Sequence, residues 1–268
     1  MLIAQLSDLH ITLPGERPYG RVDTAGALKS AVAAVAAFSP RPDLVVLTGD
    51  LVQRGLPEEY AHLKALLAPL SLPMVAIPGN HDGRESMRAA FLHDGYLPRS
   101  GVLDFSIPFG GLTIIGLDTL IPGEDGGRLC AAQLSRLDST LALAPDRPTL
   151  ILMHHPPFLT GMAGMDAIGL EGREAFAEVV RRHKQILRIL CGHVHRAIDR
   201  PFAGTIAGTA PSTAHQLFLD LEPDARANRF ILEPGGYQLH LWDEKAGLVS
   251  HTALVGDFPG PYPFKAAF

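Results

Sequence analysis

Residues 44–50 read LVVLTGD, an apolar and β-branched run that ends directly in glycine and aspartate. The run predicts a short buried strand over residues 44–48, with the polar pair at its carboxyl end. Similar runs predict further strands at residues 2–7, 74–77, 112–117, 149–153 and 186–191. Helix-like apolar spacing separates them, at residues 24–38, 57–67, 84–92, 130–141 and 171–182. This alternation is typical of an α/β fold with a largely parallel central sheet.

The pattern changes after residue 195, where strand-like runs follow one another. These runs lie at residues 216–221, 237–242 and 248–255, and we expect them to be antiparallel, in a second sheet or as an edge extension. Two stretches are irregular, residues 156–172 and 256–268. We interpret both as surface loops, with a lid and a subunit contact as the alternatives.

The composition is that of a globular chain of 268 residues with a formal net charge of −5. An acidic balance gives no basic field for nucleic acid polymers or anionic membranes. No run approaches the roughly 18 consecutive apolar residues of a transmembrane helix, and no basic segment marks a signal peptide. Cys130 and Cys191 have neither disulfide-framework nor metal-site spacing. A cytoplasmic location is therefore expected.

Polar clusters follow five of the predicted strands, and four of the five contain histidine. They are Asp-Leu-His at residues 8–10, Gly-Asp at 49–50, Gly-Asn-His-Asp at 79–82, His-His at 154–155 and Gly-His-Val-His at 192–195. In open α/β sheets, ligands bind in the crevice beyond the carboxyl ends of the strands. We therefore expect the five clusters to converge on one rim of the molecule.

The side chains of these clusters have the chemistry of metal ligands. Seven of them form the predicted set, namely Asp8, His10, Asp50, Asn80, His154, His193 and His195. Seven ligands exceed the needs of one tetrahedral ion and suit two ions that share a carboxylate. Mixed nitrogen and oxygen ligands without a thiolate favour Mn, Fe, Co or Zn.

The charge of such a centre indicates the kind of substrate. Two divalent ions, two carboxylates and a bridging hydroxide leave a charge of about +1, which attracts an anion such as a phosphodiester. Paired ions lower the pKa of bound water and hold both the attacking and the leaving oxygen of an in-line phosphoryl displacement.

The five clusters, in this order, resemble those of the calcineurin-like metallophosphoesterases. The similarity is greatest to bacterial glycerophosphodiesterases and class III cyclic-nucleotide phosphodiesterases, and it runs from residue 1 to about residue 217. It includes residues 17–23, 153–157 and 213–216. The resemblance implies a four-layer α/β-β/α sandwich with a dinuclear site at the edge between its sheets. Residues 1–200 would be the catalytic core, and residues 201–268 would be strands that complete the second sheet plus a cap or tail.

The resemblance also implies a role for each residue. Asp8, His10 and His195 would hold the first ion, whereas Asn80, His154 and His193 would hold the second. Asp50 would bridge the two ions. His81 would act on the leaving group or steady the phosphate, and His215 would lie near the phosphate together with Asn80.

Other polar residues near the clusters have simpler interpretations. Asp82 is predicted to support the ligands or to cap the following helix, and His155 is predicted to be structural. Met165 and Asp166 are either lining for the mouth of the site or exposed loop residues. Two late-strand histidines, His240 and His251, are interpreted as ordinary sheet residues. Cys191 and Trp242 are predicted to be buried.

The sequence thus predicts a metal-dependent phosphodiesterase. Its substrates would be small phosphodiesters, namely 3′,5′-cyclic nucleotides, glycerophosphodiesters or both, attacked in line by a metal-bridging hydroxide. A phosphomonoesterase or protein phosphatase on the same dinuclear site is the first alternative. A catalytically silent binding module with this fold is the second. No nucleic acid polymer or membrane partner is expected, and the late strands and tail are candidates for a homodimer or higher homo-oligomer contact.

Overall fold

The computed structural model describes residues 1–225 and 228–264, and its strands fall into two main sheets and two small ones. The strands are β1 Leu2–Leu6, β2 Leu44–Thr48, β3 Met74–Ile77, β4 Phe105–Phe109, β5 Leu112–Leu117, β6 Gly127–Arg128, β7 Thr149–Met153, β8 Leu170–Glu171, β9 Ile186–Cys191, β10 Ile198–Phe202, β11 Thr205–Thr209, β12 Gln216–Leu217, β13 Phe230–Ile231, β14 Gly236–Asp243 and β15 Gly247–Leu254. The α-helices are α1 Thr24–Ala37, α2 Pro57–Leu67, α3 Arg84–Ala90, α4 Ala131–Ala142, α5 Ala163–Asp166 and α6 Arg173–Arg182. None of the described helices is long and apolar enough to cross a membrane.

The six strands predicted in the first 191 residues are present, and they are divided between the two main sheets. The first sheet has the order β15-β14-β1-β2-β3, and the second has the order β10-β11-β9-β7-β5-β4. β1, β2 and β3 are parallel, as are β5, β7, β9 and β11. These central strands are apolar on both faces because each sheet is covered on both sides.

Alternation of side chains along each strand produces the layers. In the first sheet, Leu6 and Leu47 pack against α1, α2 and α3, whereas Ile3 and Val46 face the other sheet. In the second sheet, residues such as Ile151 pack among the residues of α4 and α6. The result is helices, sheet, sheet and helices, so the four-layer α/β-β/α sandwich is confirmed.

The C-terminal strands join a different sheet from the predicted one. β10 and β11 extend the second sheet, but β14 and β15 extend the first, because β14 pairs antiparallel with β1. The main-chain carbonyl of Trp242 also accepts a hydrogen bond from the N-terminal amine, at 2.9 Å. The expectation that the region 201–268 completes the second sheet is therefore wrong for these two strands. Its residues 226–227 and 265–268 lie outside the described part of the chain.

The strand predicted over residues 216–221 is limited to β12, which pairs with β13. Leu219 and Leu221 are exposed, so the apolar run beyond β12 covers no sheet. Trp242 is half-buried at the margin of the core between the sheets. Cys191 is fully buried, and burial raises the pKa of its thiol.

His240 on β14 is buried, and it makes the stability of the fold depend on pH. Its ring nitrogens contact Gln5 Oε1 at 3.0 Å and Ser250 Oγ at 2.7 Å. Burial, aided by the positive charge of Arg188, lowers the pKa of His240 to about 3. The unfolded chain takes up this proton near pH 6.5, whereas the folded chain does not. The contribution to stability is therefore complete above that pH and is lost as the pH falls toward 3.

We expect His240→Gln to flatten this pH dependence. Between pH 6 and pH 4, the free energy of unfolding of the wild type should fall by about 1.4 kcal/mol per pH unit more than that of the variant. Urea unfolding at several pH values measures both slopes, and His251→Gln is the control because His251 is exposed. Equal slopes for wild type and His240→Gln would contradict the assignment.

Candidate metal centre

The five polar clusters meet at one edge of the molecule, where the carboxyl ends of strands from both main sheets come together. The Asp8 amide donates to the Gly49 carbonyl at 3.1 Å, and the Gly192 amide donates to the His154 carbonyl at 3.0 Å. Gly49 has a φ of 89°, and a Cβ there would collide with the His154 ring. The predicted rim is therefore present, and glycine allows its close packing.

Five of the seven predicted ligands have left-handed backbone conformations. Their φ values are 52° for Asp8, 48° for His10, 48° for Asp50, 72° for His193 and 51° for His195. Such a conformation costs about 1–3 kcal/mol for a residue other than glycine. Strain of this kind persists where the surroundings fix the residue, and it concentrates at functional sites.

The three residues predicted to hold the first ion, here called the first group, are Asp8, His10 and His195. The two histidines of this group face each other through ring nitrogens that carry lone pairs. The Nδ1–H of His195 donates to the His215 carbonyl at 3.0 Å, and His10 Nδ1 contacts Gln53 Oε1 at 3.0 Å. Burial lowers the pKa of both His10 and His195, so both rings are neutral. Their Nε2 atoms lie 3.1 Å apart. Two lone pairs at this distance repel each other unless a cation lies between them.

Asp8 adds an unsatisfied oxygen to this group. Its Oδ1 accepts the His193 amide hydrogen at 3.0 Å and lies 3.5 Å from His195 Nε2. Its Oδ2 is buried and has no hydrogen-bond partner among the described residues. Burial raises the pKa of this carboxyl. A buried oxygen without a partner is costly, and a bound cation removes that cost.

The second group consists of Asn80, His154 and His193. His193 Nε2 donates to the Ile168 carbonyl at 3.1 Å, which leaves the Nδ1 lone pair 3.1 Å from Asn80 Oδ1. His154 Nδ1 donates to the Thr48 carbonyl at 2.8 Å, and its Nε2 lies 3.1 Å from the same Asn80 oxygen. Once His154 Nε2 is deprotonated, three acceptor atoms converge on one point, as the ligands of a cation do.

Asp50 lies between the two groups and contacts both. Its Oδ2 is 3.5 Å from His10 Nε2, and its Oδ1 is 3.4 Å from His154 Nε2. Burial disfavours the charged carboxylate, but His154 and His81 outweigh it and hold the pKa of Asp50 well below its ordinary value. Burial likewise opposes charge on His154, yet Asp50 raises the pKa of that ring to about 9. A proton and a metal ion compete for the same lone pair, so the ion would displace this proton.

These donor sets fit two divalent ions that share Asp50. The first set is Asp8, His10, His195 and Asp50, and the second is Asn80, His154, His193 and Asp50. Acidic and histidine side chains of the first set lie close enough to hold one ion together. All seven side chains are brought together as predicted; their roles as ligands remain a prediction.

Asp82 links the segment that carries Asp50 to the segment that carries Asn80. Its carboxylate accepts the amide hydrogens of Leu51 at 3.1 Å and Gly79 at 2.9 Å, and the hydroxyl hydrogen of Tyr60 at 2.6 Å. Burial and the nearby Asp50 raise its pKa to about 6. The alternative of a helix cap is wrong, because α3 begins after Gly83 without a capping side chain.

We expect Asp82→Asn to weaken metal binding by about 10–100-fold, the range found for residues that orient ligands. The amide group would place a donor against amide hydrogens that now meet a carboxylate, so the segments that carry Asp50 and Asn80 would separate. Competition with a chromophoric chelator measures the affinity. Asp146→Asn, on an exposed turn, is the control. An unchanged affinity in Asp82→Asn would show that the two segments hold their positions independently.

His81 and His215, predicted to act on the leaving group or the phosphate, lie beside the first group. His81 is half-buried, and its Nδ1–H donates to the Gln53 carbonyl at 2.9 Å. Burial lowers the pKa of His81, but the Asp50 charge and this hydrogen bond raise it more. His215 is buried, with its ring centre 4.6 Å from that of His195. Burial and the charge of His81 lower the pKa of His215 to about 4, so it is neutral.

His155 lies next to the second group but has both ring nitrogens engaged. Nδ1 contacts Thr119 Oγ1 at 2.7 Å, and Nε2 contacts the Asp125 carbonyl at 3.1 Å. Burial and the adjacent His154 lower its pKa to about 3. His155 therefore positions the loop that carries Asp125, and neither nitrogen is left for a metal ion.

A cavity of about 470 Å³ opens above the two groups. Besides ligands and His81, its wall includes Tyr19, Asp125, Met165, His215, Arg229 and Phe230. Met165 therefore lines the mouth, whereas the Asp166 carboxylate accepts hydrogen bonds from Thr160 within its own loop. Tyr19, Asp125 and Phe230 were not predicted. For Tyr19, the one signal in the sequence was that the family resemblance includes residues 17–23.

Comparisons with known proteins agree with this architecture. The family described as calcineurin-like phosphoesterase matches residues 1–197. A zebrafish (Danio rerio) dimetal phosphatase has a similar fold, with a TM-score of 0.64 at 16% identity over 96% of this chain and 99% of that one. A Thermus thermophilus protein, TT1561, has a TM-score of 0.56 at 18% identity over 86% of this chain and 98% of its own.

Sequence relatives are much closer. The chain is 39% identical, over 98% of its length and 97% of the relative's, to a protein of Arcobacter nitrofigilis named probable glycerophosphodiester phosphodiesterase GpdQ. It is 35% identical, over 91% of its length and 86% of the relative's, to the Pseudomonas aeruginosa 3′,5′-cyclic adenosine monophosphate phosphodiesterase CpdA. With the family match over most of the chain, these similarities confirm the resemblance drawn from the motifs. The chain belongs to the calcineurin-like phosphoesterase family.

Proposed function

We propose that the protein is a metal-dependent phosphodiesterase that hydrolyses small phosphodiesters, namely 3′,5′-cyclic nucleotides, glycerophosphodiesters or both. The observation that carries the proposal is the position of Asp50, whose two oxygens each approach a different group of nitrogen ligands. The names of the two sequence relatives cover both substrate classes.

Two divalent ions, of Mn, Fe, Zn or Co, would supply an activated water nucleophile and Lewis acidity at the phosphoryl oxygens. The chain would hold and orient the substrate around them. Asn80 uses its Oδ1 toward His154 and His193, so its amide Nδ2 remains for a phosphoryl oxygen. The neutral His215 ring would close the wall beside the phosphate.

His81 is the residue best placed to give a proton to the leaving alkoxide. Its Nδ1–H is held by the Gln53 carbonyl, so the ring has a fixed orientation and Nε2 is the atom left for the substrate. The Asp50 carboxylate favours the imidazolium form, because it raises the pKa of His81 against the effect of burial. An imidazolium near neutral pH is an effective general acid.

The charges of the cavity favour a diester over a monoester. Among the described residues that line it, Arg229 carries the one fixed positive charge, and Asp220 accepts from this guanidinium at 2.7 Å. The second negative charge of a monoester would therefore find no free arginine or lysine among the described lining residues, and the one further cation, the His81 imidazolium, would face the leaving group. If this unpaired charge raises the barrier for the monoester by about 1.4 kcal/mol, the monoester reacts about tenfold more slowly than the diester.

The test is the turnover of bis(p-nitrophenyl) phosphate against p-nitrophenyl phosphate by protein stripped of metal and reloaded with Mn²⁺. We expect a preference for the diester of at least about tenfold. Cyclic AMP and glycerophosphoethanolamine would then rank the two natural substrate classes. A preference for the monoester would transfer the assignment to a phosphatase. No turnover of any ester by the metal-loaded protein would favour a silent binding module.

A further inference from the structure

The cavity wall opposite the ligands combines aromatic rings with a carboxylate. Tyr19 and Phe230 stack with ring centres 5.0 Å apart, and each lies 5.7 Å from the His215 ring. Tyr19 is 54% exposed and lines the cavity. His215 in turn contacts the His10 and His195 rings. The rings therefore form a continuous wall from the candidate metal ligands to the cavity mouth.

Asp125 faces the same cavity, and its loop is fixed by hydrogen bonds. His155 Nε2 holds the Asp125 carbonyl, and two residues later Gly127 pairs with Leu170 between β6 and β8. The carboxylate makes no ion pair or hydrogen bond within residues 1–225 and 228–264. It lies near Tyr19, whose hydroxyl pKa is raised by partial burial and further by the Asp50 and Asp125 charges.

The Asp125 carboxylate places a negative charge at the mouth of a site proposed to bind phosphate esters. It repels the anionic phosphate, and the Arg229 guanidinium in the same wall is engaged by Asp220 and lies 4.7 Å from the centre of the Phe218 ring. The electron-rich ring faces of Tyr19 and Phe230 add negative potential on the same side. A carboxylate and aromatic faces that line one cavity provide the groups that bind an alkylammonium ion.

We propose that Asp125, Tyr19 and Phe230 form a cation subsite that selects phosphodiesters in which one esterified alcohol carries a positively charged nitrogen. The proposal rests on the proposed phosphodiesterase function and narrows its substrate class. The phosphate would lie over the candidate metal ligands, and the ammonium group would lie against the Tyr19 ring and the Asp125 carboxylate. Asp125 is thus a specificity-determining residue, and His155 is its positioning residue.

A pair of isosteric substrates tests the subsite. p-Nitrophenyl phosphocholine carries a quaternary nitrogen, and p-nitrophenyl 3,3-dimethylbutyl phosphate has carbon in its place. The wild type should show a kcat/KM about fivefold higher for the ester with the quaternary nitrogen, as expected for an exposed charge pair with a cation–π contact. Asp125→Asn and Tyr19→Leu should bring the ratio of the two values close to one.

Glu124→Gln is the matched control, because this neighbouring carboxylate is exposed and outside the cavity wall. Its ratio should equal that of the wild type. Calorimetric binding of phosphocholine and of 3,3-dimethylbutyl phosphate to the metal-loaded protein gives the same comparison without turnover. Phosphocholine should bind more tightly to the wild type, and Asp125→Asn should remove the difference.

The outcomes separate the subsite from the proposed function. Equal values for the two esters in the wild type, or a ratio that survives in Asp125→Asn, would overturn the subsite. Turnover of the 3,3-dimethylbutyl ester in that case still supports the phosphodiesterase. Failure of both esters, together with equal binding of the two phosphates, would overturn both proposals.

Discussion

Asp50→Ala is expected to remove both bound metal ions and to lower phosphodiester turnover by at least about a thousandfold. Each ion supplies several kcal/mol of transition-state stabilisation, and about 1.4 kcal/mol corresponds to a factor of ten. Asp50 is the residue whose carboxylate approaches His10 on one side and His154 on the other. Its loss would therefore weaken both sites, whereas the loss of His195 should weaken the first site most.

Metal content by atomic emission and turnover of bis(p-nitrophenyl) phosphate would be measured on the same preparation. Asp50→Asn preserves the shape of the side chain and one oxygen donor, so it separates loss of charge from loss of volume. Asp146→Ala controls for removal of an exposed carboxylate. A variant without Asp50 that keeps two ions and full turnover would refute the shared-carboxylate arrangement.

His81→Gln should lower kcat for esters of aliphatic alcohols by about 10²–10⁴-fold, with both ions still bound. The physical reason is the proton on His81, which an alkoxide needs in order to leave. p-Nitrophenolate is a stable anion and needs no proton. The same variant should therefore lose much less activity toward bis(p-nitrophenyl) phosphate than toward glycerophosphoethanolamine.

This dependence on the leaving group distinguishes a proton donor from a residue that only holds the phosphate. A phosphate-holding role would reduce both activities by the same factor. His62→Gln is the control, since His62 sits on α2 with its Nδ1 bound to the Thr12 carbonyl, outside the cavity. Loss of metal from His81→Gln would instead assign His81 a role in holding the ions.

The sequence was sufficient for the six strands predicted in the first 191 residues and for the clustering of the seven candidate ligands, because both depend on short-range patterns. A buried parallel strand is an apolar run, and its carboxyl end is the next residue along the chain. The segment LVVLTGD contains both signals, and β2 ends at Thr48 with Asp50 at the rim. The placement of β14 against β1 was not accessible in this way, since the two paired strands are more than 200 residues apart in the chain.

Tyr19 and Phe230 in the cavity wall were missed for the same reason. Tyr19 and Phe230 are distant in sequence, and neither belongs to a recognisable motif of its own. Their stacking depends on the β12–β13 pair, which brings Phe230 back toward the start of the chain. Asp82 was ambiguous because an aspartate just before a helix has the local signature of a cap. Only the fold shows that its partners are the amides of Leu51 and Gly79.

The division of the candidate ligands between the two sheets has a consequence for the lifetime of the protein. Asp8, Asp50 and Asn80 follow strands of the first sheet, whereas His154 and His193 follow strands of the second. Ions held by both would add direct links between two halves that are otherwise joined by apolar packing and a few hydrogen bonds, such as that from Gln5 Nε2 to the Cys191 carbonyl at 3.0 Å. Ligands that bind only the native state stabilise it by mass action. A cell short of transition metals would then lose the protein itself to proteolysis as well as its activity, and the supply of ions would set its abundance.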